Sequence, residues 1–156
     1  MALKSDRYEL QTDISFFCNT ALDRGIVVVY QDGTGTGAAM DQGVAVVAAT
    51  AGVAGTSAVA GILLNDVVNK DLTRTHLNQH KDEVQKGGKV TVLRKGYVVT
   101  NDIFGTPAAG GAAYAAAHAE GGSAAGLIAT SGTYQIGRFL STKDEDGYVK
   151  VEVNLP

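Results

Sequence analysis

The sequence predicts an all-β (mainly β) fold: a small β-barrel or β-roll with an N-terminal extended arm and one short helical or loop insertion. Three observations carry this. Short runs of Val, Ile and Ala are separated by glycine, which supplies 20 of the 156 residues, well above the roughly 7% of average proteins. Apolar and polar residues alternate with period two near both ends of the chain, as half-buried strands require. Helix-like spacing marks a single polar stretch, residues 69–86.

The first strand is Tyr8-Glu9-Leu10-Gln11-Thr12-Asp13-Ile14-Ser15-Phe16. Tyr8, Leu10, Thr12, Ile14 and Phe16 fall on one face, and polar residues on the other. Such a strand suits either an edge of its own sheet or an arm that pairs with a neighbour's sheet. Residues 1–24 are read as an N-terminal extended arm and 25–156 as the β-barrel domain, with an insertion around 69–86. Residues 1–17 are expected to contribute more to partner binding than to folding.

Residues 25–30 form a fully apolar β-branched run that ends in the loop Gln31-Asp32-Gly33-Thr34-Gly35-Thr36-Gly37. Residues 44–47 and 59–68 supply further strands. Leu72, His76, His80 and Val84 recur every four residues, which predicts a short helix or ordered surface loop. Residues 89–93 and 97–100 read as a strand pair around a turn at Arg94-Lys95-Gly96. The alanine-rich stretch 108–125 contains too many glycines for a stable helix, and a short strand is expected around 113–116. The chain closes with strands at 133–141 and 148–153 joined by Lys143-Asp144-Glu145-Asp146-Gly147, whose Asp-Gly pair favours a hairpin. There is an internal echo. Residues 25–30 followed by 60–65 resemble 111–114 followed by 136–141, so two similar β-units are expected to build one barrel or roll.

Composition narrows the function. The formal net charge is −3 with 19% charged residues, which argues against direct nucleic-acid binding. No apolar segment is long enough to cross a membrane as a helix. The single cysteine, Cys18, allows no intrachain disulfide. Gly33-Thr34-Gly35-Thr36-Gly37-Ala38 lacks the following helix of a dinucleotide site and the lysine of a phosphate loop. His76 and His80 sit four apart with Asp82 and Glu83 nearby and would share a helical face, but the pair lacks the internal glutamate of the protease motif and the third histidine, His118, lies in the alanine-rich stretch, so no metal and no cofactor is expected. No nucleophile motif of the Gly-x-Ser-x-Gly type is present. The expected function is structural, not enzymatic.

The order of motifs carries a resemblance. It runs through Val59-Ala60-Gly61-Ile62-Leu63-Leu64, Gly87-Gly88-Lys89-Val90-Thr91-Val92, Lys95-Gly96-Tyr97-Val98-Val99-Thr100, Gly111-Ala112-Ala113-Tyr114, Tyr134-Gln135-Ile136-Gly137-Arg138-Phe139-Leu140 and Asp146-Gly147-Tyr148-Val149-Lys150-Val151-Glu152-Val153. From residue 25 to 156 this resembles the small β-barrel decoration (cement) proteins of tailed-phage heads. Residues 7–13 are similar to virion structural proteins of marine and cyanobacterial phages.

The resemblance implies a protein made in the host cytoplasm and located on the capsid surface of the virion. It implies binding to the major capsid protein across joints between subunits, and homo-oligomerisation with a trimer favoured. Tyr8, Leu10, Ile14, Phe16, Arg74, His76, His80, Lys81, Arg94 and Lys95 are the candidate capsid or subunit interface residues. The competing expectations are a head-fibre base, a tail or baseplate component, or a carbohydrate-binding host-attachment module. The absence of tryptophan weighs against the last.

Overall fold

The computed structural model describes residues 3–4, 6–18, 22–31, 46–49, 59–66, 83–84, 89–116 and 126–156. Among these, all regular structure is β. The strands are β1 (Tyr8–Cys18), β2 (Leu22–Asp23), β3 (Val27–Gln31), β4 (Val46–Ala49), β5 (Val59–Asp66), β6 (Glu83–Val84), β7 (Lys89–Thr100), β8 (Ile103–Phe104), β9 (Ala112–Ala115), β10 (Ile128–Ala129), β11 (Tyr134–Phe139) and β12 (Val149–Asn154). Ten of them form one sheet in the order β1-β4-β3-β5-β7-β12-β11-β9-β10-β8, and β2 pairs with β6. The sheet is strongly curled into a half-barrel, in keeping with the all-β, small-barrel expectation.

Pairing explains the curl. β1 bonds to β4 at Phe17 and Cys18 and to β7 along most of its length. The strands β1, β4, β3, β5 and the first half of β7 therefore close a ring. The second half of β7 pairs with β12, and β8, directly after it, pairs with β10. Together with β9 and β11 these form a second run of pairings, which ends at β8 and is joined back to β7 by the chain alone.

Two cores follow. Phe16, Leu22, Ile26, Val28, Ala60, Leu63, Val90 and Val92 fill the first ring. Val27, Ile62, Leu64 and Leu93 lie on its outer face and pack with Ile136, Phe139, Val149, Val151 and Val153 of the second unit. The sheet β3-β5-β7 is thus buried on both faces. That is why residues 25–30 and 59–64 read as continuous apolar runs and not as alternating ones.

The internal echo is a repeat of the pairing itself. β3 lies antiparallel between β4 and β5, as β9 lies antiparallel between β10 and β11. β1 joins β4 in parallel, as β8 joins β10. The Gly25 N–H donates to the Leu63 carbonyl at 2.7 Å and the Leu63 N–H to Ile26 at 2.9 Å. In the second unit the Gly110 N–H donates to Phe139 at 2.7 Å and the Phe139 N–H to Gly111 at 2.8 Å. These bonds match Gly25 with Gly110 and Leu63 with Phe139. Residues 18–30 align with 103–115 without insertion, and residues 95–101 take the place that β1 holds in the first unit. Thr12 and Asp13 face Leu93 and Val92; Tyr97 and Val98 face Glu152 and Val151.

Residues 89–100 do not form the expected strand pair around Arg94-Lys95-Gly96. They form one continuous strand. One edge of β7 pairs with β5 at residues 90–93 and then with β12 at residues 95–100, so a change of neighbour takes the place of a turn. Gly96 is needed because a Cβ there would collide with the Tyr8 carbonyl on β1.

Where the first unit connects β5 to β7 by a long segment, the second connects β11 to β12 by a tight hairpin. The expected insertion around 69–86 lies in that long segment and outside the described residues, apart from Glu83 and Val84. These form β6, with Val84 opposite Leu22.

In the hairpin, Asp144 Oδ1 accepts the N–H groups of Tyr148 at 2.7 Å and Asp146 at 3.0 Å, a local bond pattern that fixes turns. The Tyr148 N–H above all holds the Asp144 carboxyl below its usual value of 3.8, with help from Lys4. The unfolded chain therefore binds the proton first, so this contribution is present above pH 3.8 and is lost as pH falls through the depressed folded value. Urea midpoints followed down through the carboxylate range are expected to fall less steeply for Asp144→Asn than for the wild type. Parallel profiles would count against the role of Asp144.

Candidate interaction surface

β1 positions the most conspicuous surface feature. Tyr8, Leu10 and Ile14 are 54%, 67% and 52% exposed, so the apolar face of the N-terminal strand points to solvent over most of its length. Phe16 does not share that exposure. A register shift between Asp13 and Phe16 turns its ring into the first core, 5.4 Å from the ring of Tyr30. Period-two reading missed this because a bulge reverses the alternation.

The segment before β1 is held to the second unit. Leu3 is buried and bridges to Thr100, and the Lys4 N–H donates to the Val99 carbonyl at 2.8 Å. Lys4 Nζ lies 3.2 Å from Asp144 and 4.0 Å from the centre of the Tyr148 ring. Lys150 Nζ lies 3.8 Å from the centre of the Tyr97 ring and 3.8 Å from Asp6. Tyr8 stacks on Tyr97 at 6.0 Å. Each exposed charge contact contributes little alone; with Leu3 they set the path of the strand.

The remaining candidates divide. Arg94 is half-buried, and its guanidinium donates to the Pro156 carbonyl. The Leu155 N–H donates to the Arg94 carbonyl at 3.0 Å, so this arginine anchors the C-terminus. Lys95 is half-buried in β7, opposite Gln11 on one side and Asn154 on the other. Arg74, His76, His80 and Lys81 lie outside the described residues. Among the described residues, no group of three or more His, Cys, Asp or Glu is placed to hold a metal ion.

A second surface escaped the sequence reading. Gln135, Gly137, Arg138, Glu152 and Asn154 line a polar groove on the outer face of the second unit. Arg138 faces Glu152 across β11 and β12, at 3.7 Å. In the first unit Ile62 faces Leu93 at the matching position, and both are buried. The first pair is apolar because the second unit covers it, while the second pair is charged because it meets solvent. A cross-strand charge pair in the final hairpin was the available signal.

The family model for the XM1 gp53 minor capsid protein matches residues 14–155. The chain belongs to this family. As a member of the XM1 gp53 minor capsid protein family it is a structural protein of the phage virion, associated with the capsid. The match covers the second unit and all of the first except the start of β1; it begins at Ile14, so Tyr8 and Leu10 precede it. Among curated proteins, none matches the chain.

Proposed function

We propose that this minor capsid protein is a decoration, or cement, protein. It binds the outside of the capsid and stabilises contacts between major capsid subunits. The observation that carries the reading is the exposed apolar row Tyr8, Leu10 and Ile14 on a strand that already has a place in its own sheet. Large apolar side chains left outside a completed core mark a docking surface. Many modest contacts suffice on a lattice, because each bound copy is one of a repeating set. A homo-oligomer, with a trimer favoured by the resemblance, would multiply the contacts further.

The test is to add the purified protein to capsids that lack it and image the particles by cryo-microscopy. The expected result is density on the outer surface at joints between capsid subunits, with the decorated particles resisting heat to a higher temperature. Density confined to a tail, baseplate or fibre would overturn the reading.

The segment 69–86 is proposed to set register at that contact, because Lys70, Asp71, Arg74, Lys81, Asp82 and Glu83 mix both signs. His76 and His80 would add hydrogen bonds there. Charge reversal at Arg74 and Lys81 is expected to weaken particle binding while the circular dichroism spectrum stays unchanged. Normal binding by the reversed variants across a range of salt would make the segment a solvated connector.

A further inference from the structure

We infer that the N-terminal strand is built in two halves, and that the outer half, Leu3 and Lys4 with residues 6–9, is a clasp that swings off the second unit about Leu10 while the inner half stays in the first ring. The open clasp bares the edge of β7 at residues 96–100 for another strand. The inference goes beyond the proposed capsid role and does not depend on it.

The ladder marks the division. Pairing of β1 with β7 is regular over Tyr8 and Glu9, shifts on either side of Gln11, and is regular again over Thr12 and Asp13. The shifts fall where the opposite edge of β7 exchanges β5, which reaches Leu93, for β12, which starts at Lys95. The inner half therefore pairs with the part of β7 that belongs to the first unit. The outer half pairs with the part that belongs to the second. An irregularity of this kind interrupts the ladder bonds, so opening on one side is not carried to the other.

The halves are held unequally. Phe16 fills the first core, and Phe17 lies between β4 and β7. The outer half has one buried anchor, Leu3, and backbone contacts with β7 that include the Lys4 N–H bond to the Val99 carbonyl. Its side-chain ion pairs are at the surface. Lys4 reaches Asp144 and the Tyr148 ring, and Lys150 reaches back to Asp6 beside the Tyr97 ring. A segment with few buried apolar contacts opens at a lower free energy than the whole fold. Closed, the clasp blunts an edge that would otherwise offer unpaired N–H and C=O groups. Open, that edge takes an extended peptide by strand addition.

Amide hydrogen exchange on the full-length protein tests this. The Lys4 amide and the amides of residues 96–100 that bond to β1 are expected to exchange through one shared opening, at least about tenfold more often than the β7-bonded amides of residues 12–17. Leu3→Ala is expected to raise that opening at least about tenfold, and Lys150→Ala about two- to fivefold, with the exchange of residues 12–17 unchanged. A labelled peptide of residues 1–10 is expected to bind Leu3→Ala at least about tenfold more tightly than the wild type, because affinity scales with the open fraction. Exchange of the whole of β1 in one event, or a Leu3→Ala variant that opens both halves alike, would overturn the clasp. A peptide that binds both proteins equally, or neither, would overturn the role given to the β7 edge.

Discussion

Gly61→Ala and Gly137→Ala are each expected to destabilise the protein by about 3–5 kcal/mol, large for a single methyl group. The two glycines hold matching places in the two units. A Cβ on Gly61 would overlap the Leu93 carbonyl of β7, and a Cβ on Gly137 would overlap the Glu152 carbonyl of β12. Leu93 and Glu152 are themselves equivalent. Neither obstacle is a flexible side chain that can swing away. Each is the backbone of the neighbouring strand, so accommodation means prying apart a ladder of the sheet. Gly61 adds a second penalty, a φ of +151° that L side chains rarely adopt.

The control is Gly110→Ala. Gly110 has φ +83° but nothing within 4 Å of its added Cβ, so the expected cost is only the local backbone strain, roughly 1–2 kcal/mol. Denaturant unfolding of the three variants separates close approach from backbone strain. Equal losses in all three would show that φ alone sets the cost.

Deleting residues 1–17 is expected to cost stability of the same order as the whole folding free energy, ~5–15 kcal/mol for a domain. The sequence alone suggested the opposite, an arm with more weight in binding than in folding. Three contacts change that expectation. Leu3 and Phe16 are buried, one in each core. β1 is also the member that closes the first ring, and its loss uncovers the β7 edge beside Val90 and Val92. Truncating one buried Phe or Leu costs about 2–5 kcal/mol, and the deletion removes both with the ladder. Thermal melting followed by circular dichroism decides the matter. A cooperative transition at the wild-type midpoint would show that β1 is dispensable to the fold. The milder Phe16→Ala is expected to melt cooperatively but earlier.

By itself the sequence determined the all-β class, the position of most strands and the absence of an obvious catalytic constellation. Local rules are enough for these. Alternation located β1 and β12, β-branched runs located β3 and β5, and Asp-Gly located the final hairpin. Hints of the repeat were legible too, because Gly61 and Gly137 must be glycine for the same reason, and equal packing left equal letters. Only the tertiary structure decided which side of each strand is covered. The face carrying Ile62 and Leu93 and the face carrying Arg138 and Glu152 are the same surface of one repeated unit, and they differ because the second unit shields the first. The register shift that buries Phe16 while Leu10 stays exposed, and the shared edge that makes residues 89–100 one strand and not two, depend on partners distant in the chain. No periodicity within a strand encodes its neighbours' positions, so the exposed row on β1 became visible only in the folded chain.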